Sequence, residues 1–229
     1  TPPLGSGPYR ISNFEPGRFI ALERVKDYWG LDIPANVGTN NFDEIRIDYY
    51  RDETVLREAL KSGDIDYREE NQAKAWALDY DTPAVDQGTL KKVNLRHYNP
   101  TGMQAFVYNT RRPIFQDVRV REALAHAFDF EWTNKNLFFG QYARTKSFFS
   151  NSDLASTGLP KGLELEILEK YRDQVPSEVF TDSYQPPETD GMGWPREGLL
   201  KAQKLLYQAG WSVENMSLTN QLTGEKFTF

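Results

Sequence analysis

The 229-residue sequence contains no cysteine, only two histidines and no long run of apolar residues. The absence of cysteine excludes disulfides, thiolate metal sites and cysteine nucleophiles. His97 and His126 lack the short spacing of a zinc site, and no Gly-x-Ser-x-Gly turn presents a serine nucleophile. We therefore predict no cofactor. No segment approaches the roughly 20 apolar residues of a membrane span, so we expect no membrane insertion.

The chain also lacks an excess of basic charge. Lys and Arg number 27 against 33 Asp and Glu, which gives a net charge of −6. A nucleic-acid groove needs a concentrated basic surface, and no run of Lys or Arg supplies one, so nucleic acid is not an expected partner. The chain is instead rich in bulky core residues, with 14 Phe, 12 Tyr and 5 Trp. Its length suits one large domain or two modest ones.

The first hundred residues predict a β-hairpin followed by a strand–helix–strand unit. The hairpin turns at Pro16-Gly17, where proline fixes φ and glycine permits a positive φ. Alternating residues over 43–50 indicate a strand, Asp52 can cap the following helix, and Gly63 can end it. Residues 65–67 then predict a second strand, which favours a parallel pair with a right-handed crossover.

The remaining residues predict further strands and mainly helices. Strands are expected over 90–98 and 103–109. Helices are expected in five places: over 72–82, after the capping residue Asp117, from Glu131 to Gly140, over 163–172, and from Pro195 to Gly210. The Pro- and Gly-containing stretch 181–194 predicts a loop. The chain begins at Thr1 without methionine and ends in an alternating stretch, Glu225–Phe229, so we expect it to be a piece of a longer protein.

Glu69, Glu70 and Asn71 directly follow the predicted strand 65–67. Residues at the carboxyl end of a strand in an α/β sheet often face a crevice, so these three can line a ligand cleft. A plain solvated edge is the alternative structural interpretation. An enzymatic alternative is a carbohydrate-active protein in which Glu69 and Glu70 act as acid and base. Adjacent residues of an extended chain point to opposite sides, which disfavours that alternative.

Four stretches of the chain carry sequence motifs: Gly5 to Gly30, Ile45 to Asp66, Tyr108 to Leu124, and Ala202 to Trp211. They resemble motifs of the family 5 solute-binding proteins of bacterial ABC importers, the peptide-binding type. They occur in the family's order and reach most of the chain except residues 150–195. The Pro186-Pro187 and Gly191–Trp194 insertion is most similar to the oligopeptide and microcin C (YejA-like) branch.

The resemblance implies an α/β fold of the type II periplasmic binding protein kind, with parts of two lobes at residues 1–103 and 104–229. It implies a periplasmic, non-enzymatic receptor that encloses a peptide or peptide-like ligand between its lobes and delivers it to an inner-membrane permease. A sensory ligand-binding domain is an alternative. The family's aspartate that binds the peptide amino terminus is expected outside this chain. The residues that match the family's ligand-binding segments are Glu69, Glu70, Asn71, Met103, Gln104 and Phe106.

Overall fold

A computed structural model describes residues 3–229 of the chain. Thr1 and Pro2, the start of the predicted first lobe, lie outside the described residues. The chain divides into two compact units, the first ending at Glu69 and the second beginning at Glu70. The predicted division into lobes at 1–103 and 104–229 refers to the complete two-lobed protein, and it stays a prediction.

The first unit holds three strands and one helix, and the second holds helices and a final hairpin. The first unit contains β1 (Tyr9–Glu15), β2 (Phe19–Arg24), β3 (Glu44–Asp48) and α1 (Glu53–Ser62). The second contains α2 (Ala73–Leu78), α3 (Pro83–Asp86), a 3₁₀ turn (Pro113–Phe115), α4 (Val118–Ala127), α5 (Phe130–Asn136), α6 (Gly162–Glu169), α7 (Glu178–Thr181), α8 (Arg196–Gln208), β4 (Trp211–Glu214) and β5 (Ser217–Asn220). Every helix among residues 3–229 is too short or too polar to cross a bilayer.

The predicted hairpin is confirmed as the start of an antiparallel sheet with the order β1-β2-β3. The backbone N–H of Arg18 donates to the carbonyl of Glu15 at 3.0 Å and closes the turn. Gly17 has φ 76°, as the third residue of a type II turn requires, and proline precedes it. The local turn chemistry therefore sets the pairing of the first two strands.

The caps of α1 are also as predicted. The Asp52 carboxylate accepts the N–H groups of Thr54 at 2.8 Å and Val55 at 3.1 Å. These two hydrogen bonds lower the pKa of Asp52 because they stabilise its charged form. Gly63 adopts φ 84° at the other end, where a side chain would be strained. Both ends of the helix are thus determined by single residues.

The predicted parallel strand pair is not formed by the described residues. Residues 65–67 belong to no strand, and among residues 3–229 β3 pairs with β2 alone, which runs antiparallel to it. The segments 90–98 and 103–109 are likewise not strands, and the end of the chain makes only a single bridge, from Lys226 to Thr219. A strand needs a neighbour for its backbone N–H and C=O groups, and alternation in sequence does not supply one.

The core of the second unit forms where α4, α8 and the β4–β5 hairpin meet. Phe115 is 4% exposed and Val120 is 1% exposed, and both pack with the buried Trp211. The rings of Phe115 and Tyr108 lie 5.2 Å apart, centroid to centroid. The partly buried residues around this centre are Tyr108, Ile114, Leu124, Leu206, Ala209, Leu218 and Phe227.

Asp117 caps α4 and pairs with a neighbouring cation. Its carboxylate accepts the backbone N–H of Arg119 at 2.9 Å and is also bonded by the Arg119 guanidinium at 2.6 Å. The guanidinium hydrogen bond is the main reason that the pKa of Asp117 is lowered, and it outweighs the opposing effect of partial burial. The guanidinium also donates to the carbonyl of Gln208 at 2.7 Å, which ties the start of α4 to the end of α8.

We expect Asp117→Asn to lower stability by about 0.5 kcal/mol at pH 7, the range of a partly exposed ion pair. Because the folded pKa lies below the ordinary value of 3.8, the carboxylate contributes its stability above pH 3.8. That contribution is lost as the pH falls through the folded pKa, so the two proteins should converge in acid. Urea unfolding of both proteins between pH 7 and pH 2 measures this. The exposed Asp153→Asn is the control, and a difference that persists in acid contradicts the assignment.

Candidate ligand-binding surface

Glu70 lies at the start of the second unit, where it supports α2. One oxygen of its carboxylate accepts the backbone N–H of Gln72 at 2.9 Å. The other accepts the hydroxyl of Tyr80 at 2.8 Å, and Tyr80 is buried. Glu70 itself is half-buried. The carboxylate is therefore oriented by groups of its own unit, which gives it a fixed direction.

Glu69 and Asn71, the other two residues predicted at this edge, are both exposed. Glu69 ends the first unit and Asn71 follows Glu70 in the second. Both side chains are open to solvent in the part of the chain that the structure describes. Their polar groups are therefore accessible to a solute.

Met103, Gln104 and Phe106 share one exposed stretch of the second unit that has no regular secondary structure. The stretch is fastened at its beginning, because Thr101 donates its backbone N–H to the carbonyl of Ser150 at 3.0 Å. Asn151 reinforces this anchor, since its amide donates to the carbonyls of His97 at 3.1 Å and Asn99 at 2.8 Å. Residues 150 and 151, which are distant in sequence, therefore hold the segment that precedes residue 103.

Aromatic contacts hold the other end of the same stretch. The ring of Phe106 lies edge-on to Phe128 at 6.1 Å between centroids, yet its side chain stays 78% exposed. Tyr108 packs tilted against Phe115, and its burial raises the pKa of its hydroxyl. Residues 103–106 therefore form an exposed stretch between two anchors. Hydrogen bonds and aromatic contacts hold it instead of a sheet.

The structure thus unites three of the six predicted residues on one exposed stretch and shows that Glu70 carries structural hydrogen bonds. In the catalytic alternative, Glu70 would have to act as acid or base while its carboxylate accepts hydrogen bonds from Gln72 and Tyr80. The ligand-binding roles of all six residues stay predictions. No group of three or more His, Asp or Glu side chains among residues 3–229 is arranged to hold a metal ion.

Sequence reasoning missed a polar cluster at the start of α5. The buried Asp129 accepts the backbone N–H of Trp132 at 2.9 Å and therefore caps this helix, which begins at Phe130. The same carboxylate accepts hydrogen bonds from residues 189–193, called here the strap. Asp129 stands directly before the helix, which is the local signal of a cap, but nothing in the sequence links it to residues 60 positions away.

An open depression of about 530 Å³ lies along α5. Apolar rings and a few polar side chains line it. Asn134 already bonds the backbone of Tyr142 through both ends of its amide, at 2.8 and 3.1 Å. The depression thus combines two phenylalanine rings with one carboxylate, Glu131, and one ammonium group, Lys135. The lining residues are Phe130, Glu131, Asn134, Lys135, Phe139 and Gly140.

The whole chain is similar to known proteins in sequence. Residues 1–229 match the sequence profile of the bacterial extracellular solute-binding proteins, family 5 Middle. The uncharacterized protein YejA of Escherichia coli K12 is 44% identical over 229 residues, all of this chain and 38% of that protein. In Agrobacterium fabrum, the probable peptide-binding protein YejA is 45% identical over 98% of this chain and 37% of its own length. The peptidoglycan-binding protein YepA of that organism is 41% identical over 96% of this chain and 37% of its own length. The chain thus spans under two fifths of these relatives.

Solved structures share the fold at lower sequence identity. NikA from Brucella suis, in complex with Fe(III)-EDTA, matches with a TM-score of 0.62 and 18% identity, over 97% of this chain and 36% of NikA. CtaP from Listeria monocytogenes, an ABC transporter substrate-binding protein, matches with a TM-score of 0.54 and 22% identity, over 92% of this chain and 34% of CtaP. These structures are type II periplasmic binding proteins, so the chain has part of that fold.

Proposed function

Because this chain belongs to the bacterial extracellular solute-binding proteins of family 5, we propose that its protein is the substrate-binding component of an ABC importer. In this proposal it captures peptides or peptide-like compounds in the periplasm and delivers them to an inner-membrane permease. The match of the family profile to residues 1–229 is the observation that supports the proposal most strongly. The same family, whose members bind solutes, supports the proposed non-enzymatic role.

The proposed ligand is a peptide because one relative, identical at 45% of positions, is a probable peptide-binding protein. The 41% identical relative is a peptidoglycan-binding protein, and peptidoglycan contains short peptides. A short peptide is the chemistry that ordinary peptides and peptidoglycan have in common. A test panel therefore needs ordinary peptides of two to six residues and peptidoglycan-derived peptides side by side.

The exposed stretch 103–106 offers the groups that a peptide backbone needs. The Gln104 amide can donate to a carbonyl and accept from an N–H, which are the two groups that every peptide repeats. Met103 and Phe106 present exposed apolar surface, and the flexible methionine can adapt to different ligand side chains. Glu69 and Asn71 add an exposed carboxylate and amide. In this proposal the Glu70 carboxylate serves as an oriented acceptor.

The first test is ligand-induced stabilisation of the protein in its full natural length. A ligand that binds only the folded state stabilises it by about 2.7 kcal/mol at a hundredfold excess over Kd. We expect at least one peptide of the panel to raise the melting temperature, and calorimetry to give its affinity. No stabilisation by any peptide, with stabilisation by a sugar or a metal chelate instead, contradicts a peptide receptor.

The second test concerns the proposed residues and delivery. We expect Gln104→Ala to weaken peptide binding about tenfold, which is the loss of one or two hydrogen bonds. Gln174→Ala, a change of the same type at an exposed position, should leave the affinity within twofold. Peptide uptake by cells lacking the gene separates transport from a sensory role, because a sensor binds the same peptides but leaves uptake unchanged.

A further inference from the structure

The strap, residues 189–193, has no regular secondary structure, and the buried carboxylate of Asp129 holds it against α5. One oxygen of Asp129 accepts both the backbone N–H of Trp132 and the hydroxyl of Thr189. Its other oxygen accepts the backbone N–H of Gly193 at 3.0 Å. Burial alone raises the pKa of Asp129, but the bonds from Thr189, Trp132 and Gly193 outweigh it, so the pKa is lowered. The charged form is thus the one that this site stabilises.

Glu131 adds a second attachment from the first turn of α5. Its carboxylate accepts the backbone N–H of Thr189 at 3.0 Å and lies 2.8 Å from the hydroxyl oxygen of the same residue. The backbone N–H of Gly191 points to that hydroxyl oxygen at 3.3 Å. The N–H groups of residues 189, 191 and 193 therefore all depend on side chains instead of backbone partners.

Two glycines bring the strap close to the helix. A Cβ atom at Gly193 would lie 2.8 Å from the indole nitrogen of Trp132, and one at Gly191 would lie 3.3 Å from Cβ of Glu131. Both glycines have positive φ, 83° at Gly193 and 69° at Gly191, a backbone conformation that residues with a side chain rarely adopt. The strap is therefore closely fitted to α5 by shape as well as by hydrogen bonds.

From this geometry we propose that the strap is a latch that Asp129 closes and that can open as a unit while α5 stays folded. Asp129 is a positioning residue with two separable tasks, capping α5 through Trp132 and fastening the strap through Thr189 and Gly193. Segments with few buried apolar contacts open at lower free energy than the elements beside them, and none of residues 189–193 is buried. Opening would release the strap and the exposed Met192 within it without loss of the second unit's core. The inference does not depend on what the protein binds.

Asp129→Asn separates the two tasks. Asparagine caps helices as well as aspartate does, so its carbonyl oxygen can keep the bond from Trp132. Its NH₂ group then stands where the carboxylate accepted the N–H of Gly193, and two donors face each other there. Thr189→Val provides a second route, because it removes the strap's hydroxyl and leaves the Asp129 cap untouched.

Hydrogen exchange of the full-length protein, read on peptides covering 187–194 and 130–137, tests the latch. We expect both variants to raise the exchange rate of the strap peptide at least tenfold and to change that of the α5 peptide less than twofold. Asp190→Asn is the matched control: Asp190 is an exposed strap carboxylate that accepts the N–H of Met192 within the strap, and an asparagine oxygen can accept the same N–H, so the variant should exchange like the parent.

Two results would overturn the inference. If the strap exchanges at the parent rate in both variants, Asp129 and Thr189 do not hold it. If the strap and α5 speed up by the same factor in Thr189→Val, they open together and there is no separate latch. The Thr189→Val measurement decides the matter even where Asp129→Asn fails to fold.

Discussion

Replacing Gly198 with alanine is expected to destabilise the pairing of α4 and α8 by about 3 kcal/mol, the upper part of the range for overpacking. Gly198 lies in the first turn of α8, and a Cβ atom there would stand 2.3 Å from the backbone carbonyl oxygen of His126 in α4. Real Cβ atoms essentially never approach another atom closer than 3.0 Å, so one of the two helices must move.

The sign of this effect is informative because helix propensity alone predicts the opposite. Alanine stabilises a helix by about 1 kcal/mol relative to glycine when it has room. Here the obstacle is backbone, which cannot rotate away as a flexible side chain would. The buried Ala123 and Ala202, one on each helix, show that small residues line this approach. Moving the helices apart would also loosen the buried Val120.

Native-state hydrogen exchange of α4 and α8 in the full-length protein measures the loss as a free energy of opening. Gly102→Ala is the matched control, because Gly102 has no positive φ and no atom within 4 Å of the added Cβ. It should change the opening of α4 and α8 by less than 0.5 kcal/mol, as surface substitutions usually do. A stabilised α8 in Gly198→Ala would show that the helices are not in close contact there.

Local chemistry made the ends of several elements predictable. Asp52 and Asp117 accept N–H groups of the first helical turn, as their positions indicated, and Gly17 and Gly63 take positive φ. Each of these depends on residues within a few positions of one another. The helix from Pro195 to Gly210 follows the same logic, and the structure forms it over Arg196–Gln208.

Interactions between distant residues were not predictable in this way. Residues 65–67 alternate as a strand does, and 103–109 carries the strand-favouring Phe106 and Tyr108. Neither property shows whether a partner strand is in reach, and none of the described residues forms a strand pair with either segment. The β4–β5 hairpin was not predicted, because the two residues of its turn are Asn215 and Met216, at φ 47° and 62°. Methionine is rare at positive φ, so the sequence carries only half of the usual turn signal.

The candidate ligand-binding residues came from the family resemblance more than from pattern. Pattern alone marked Glu69–Asn71 as an edge after a strand, and that strand is absent from the described residues. Met103, Gln104 and Phe106 came only from the resemblance, and they do lie on one exposed stretch. What neither source indicated is that Tyr80 would orient Glu70, because that bond spans ten residues and needs the fold of α2.

Phe115→Ala is expected to cost about 4 kcal/mol, the range for removing a buried phenylalanine and leaving a cavity. The ring of Phe115 is buried and lies 5.2 Å from the rings of both Tyr108 and Phe229, centroid to centroid. Arg121 also donates to the carbonyl of Phe115 at 2.6 Å, so the backbone at this turn is held in place and cannot collapse freely into the space. The cavity should therefore persist.

The same substitution links the core to the candidate ligand-binding surface. Tyr108 ends the stretch that carries Met103, Gln104 and Phe106, and its packing partner is the ring that Phe115→Ala removes. Limited proteolysis within 103–108 should therefore become faster, and hydrogen exchange should increase over α4. Phe148→Ala is the matched control, since Phe148 is 78% exposed and its removal should cost less than 0.5 kcal/mol. Faster exchange in α4 with no change in cleavage at 103–108 would show that the Tyr108–Phe115 contact does not hold the stretch, and its anchoring would then rest on the Phe106–Phe128 contact and on Thr101 and Asn151.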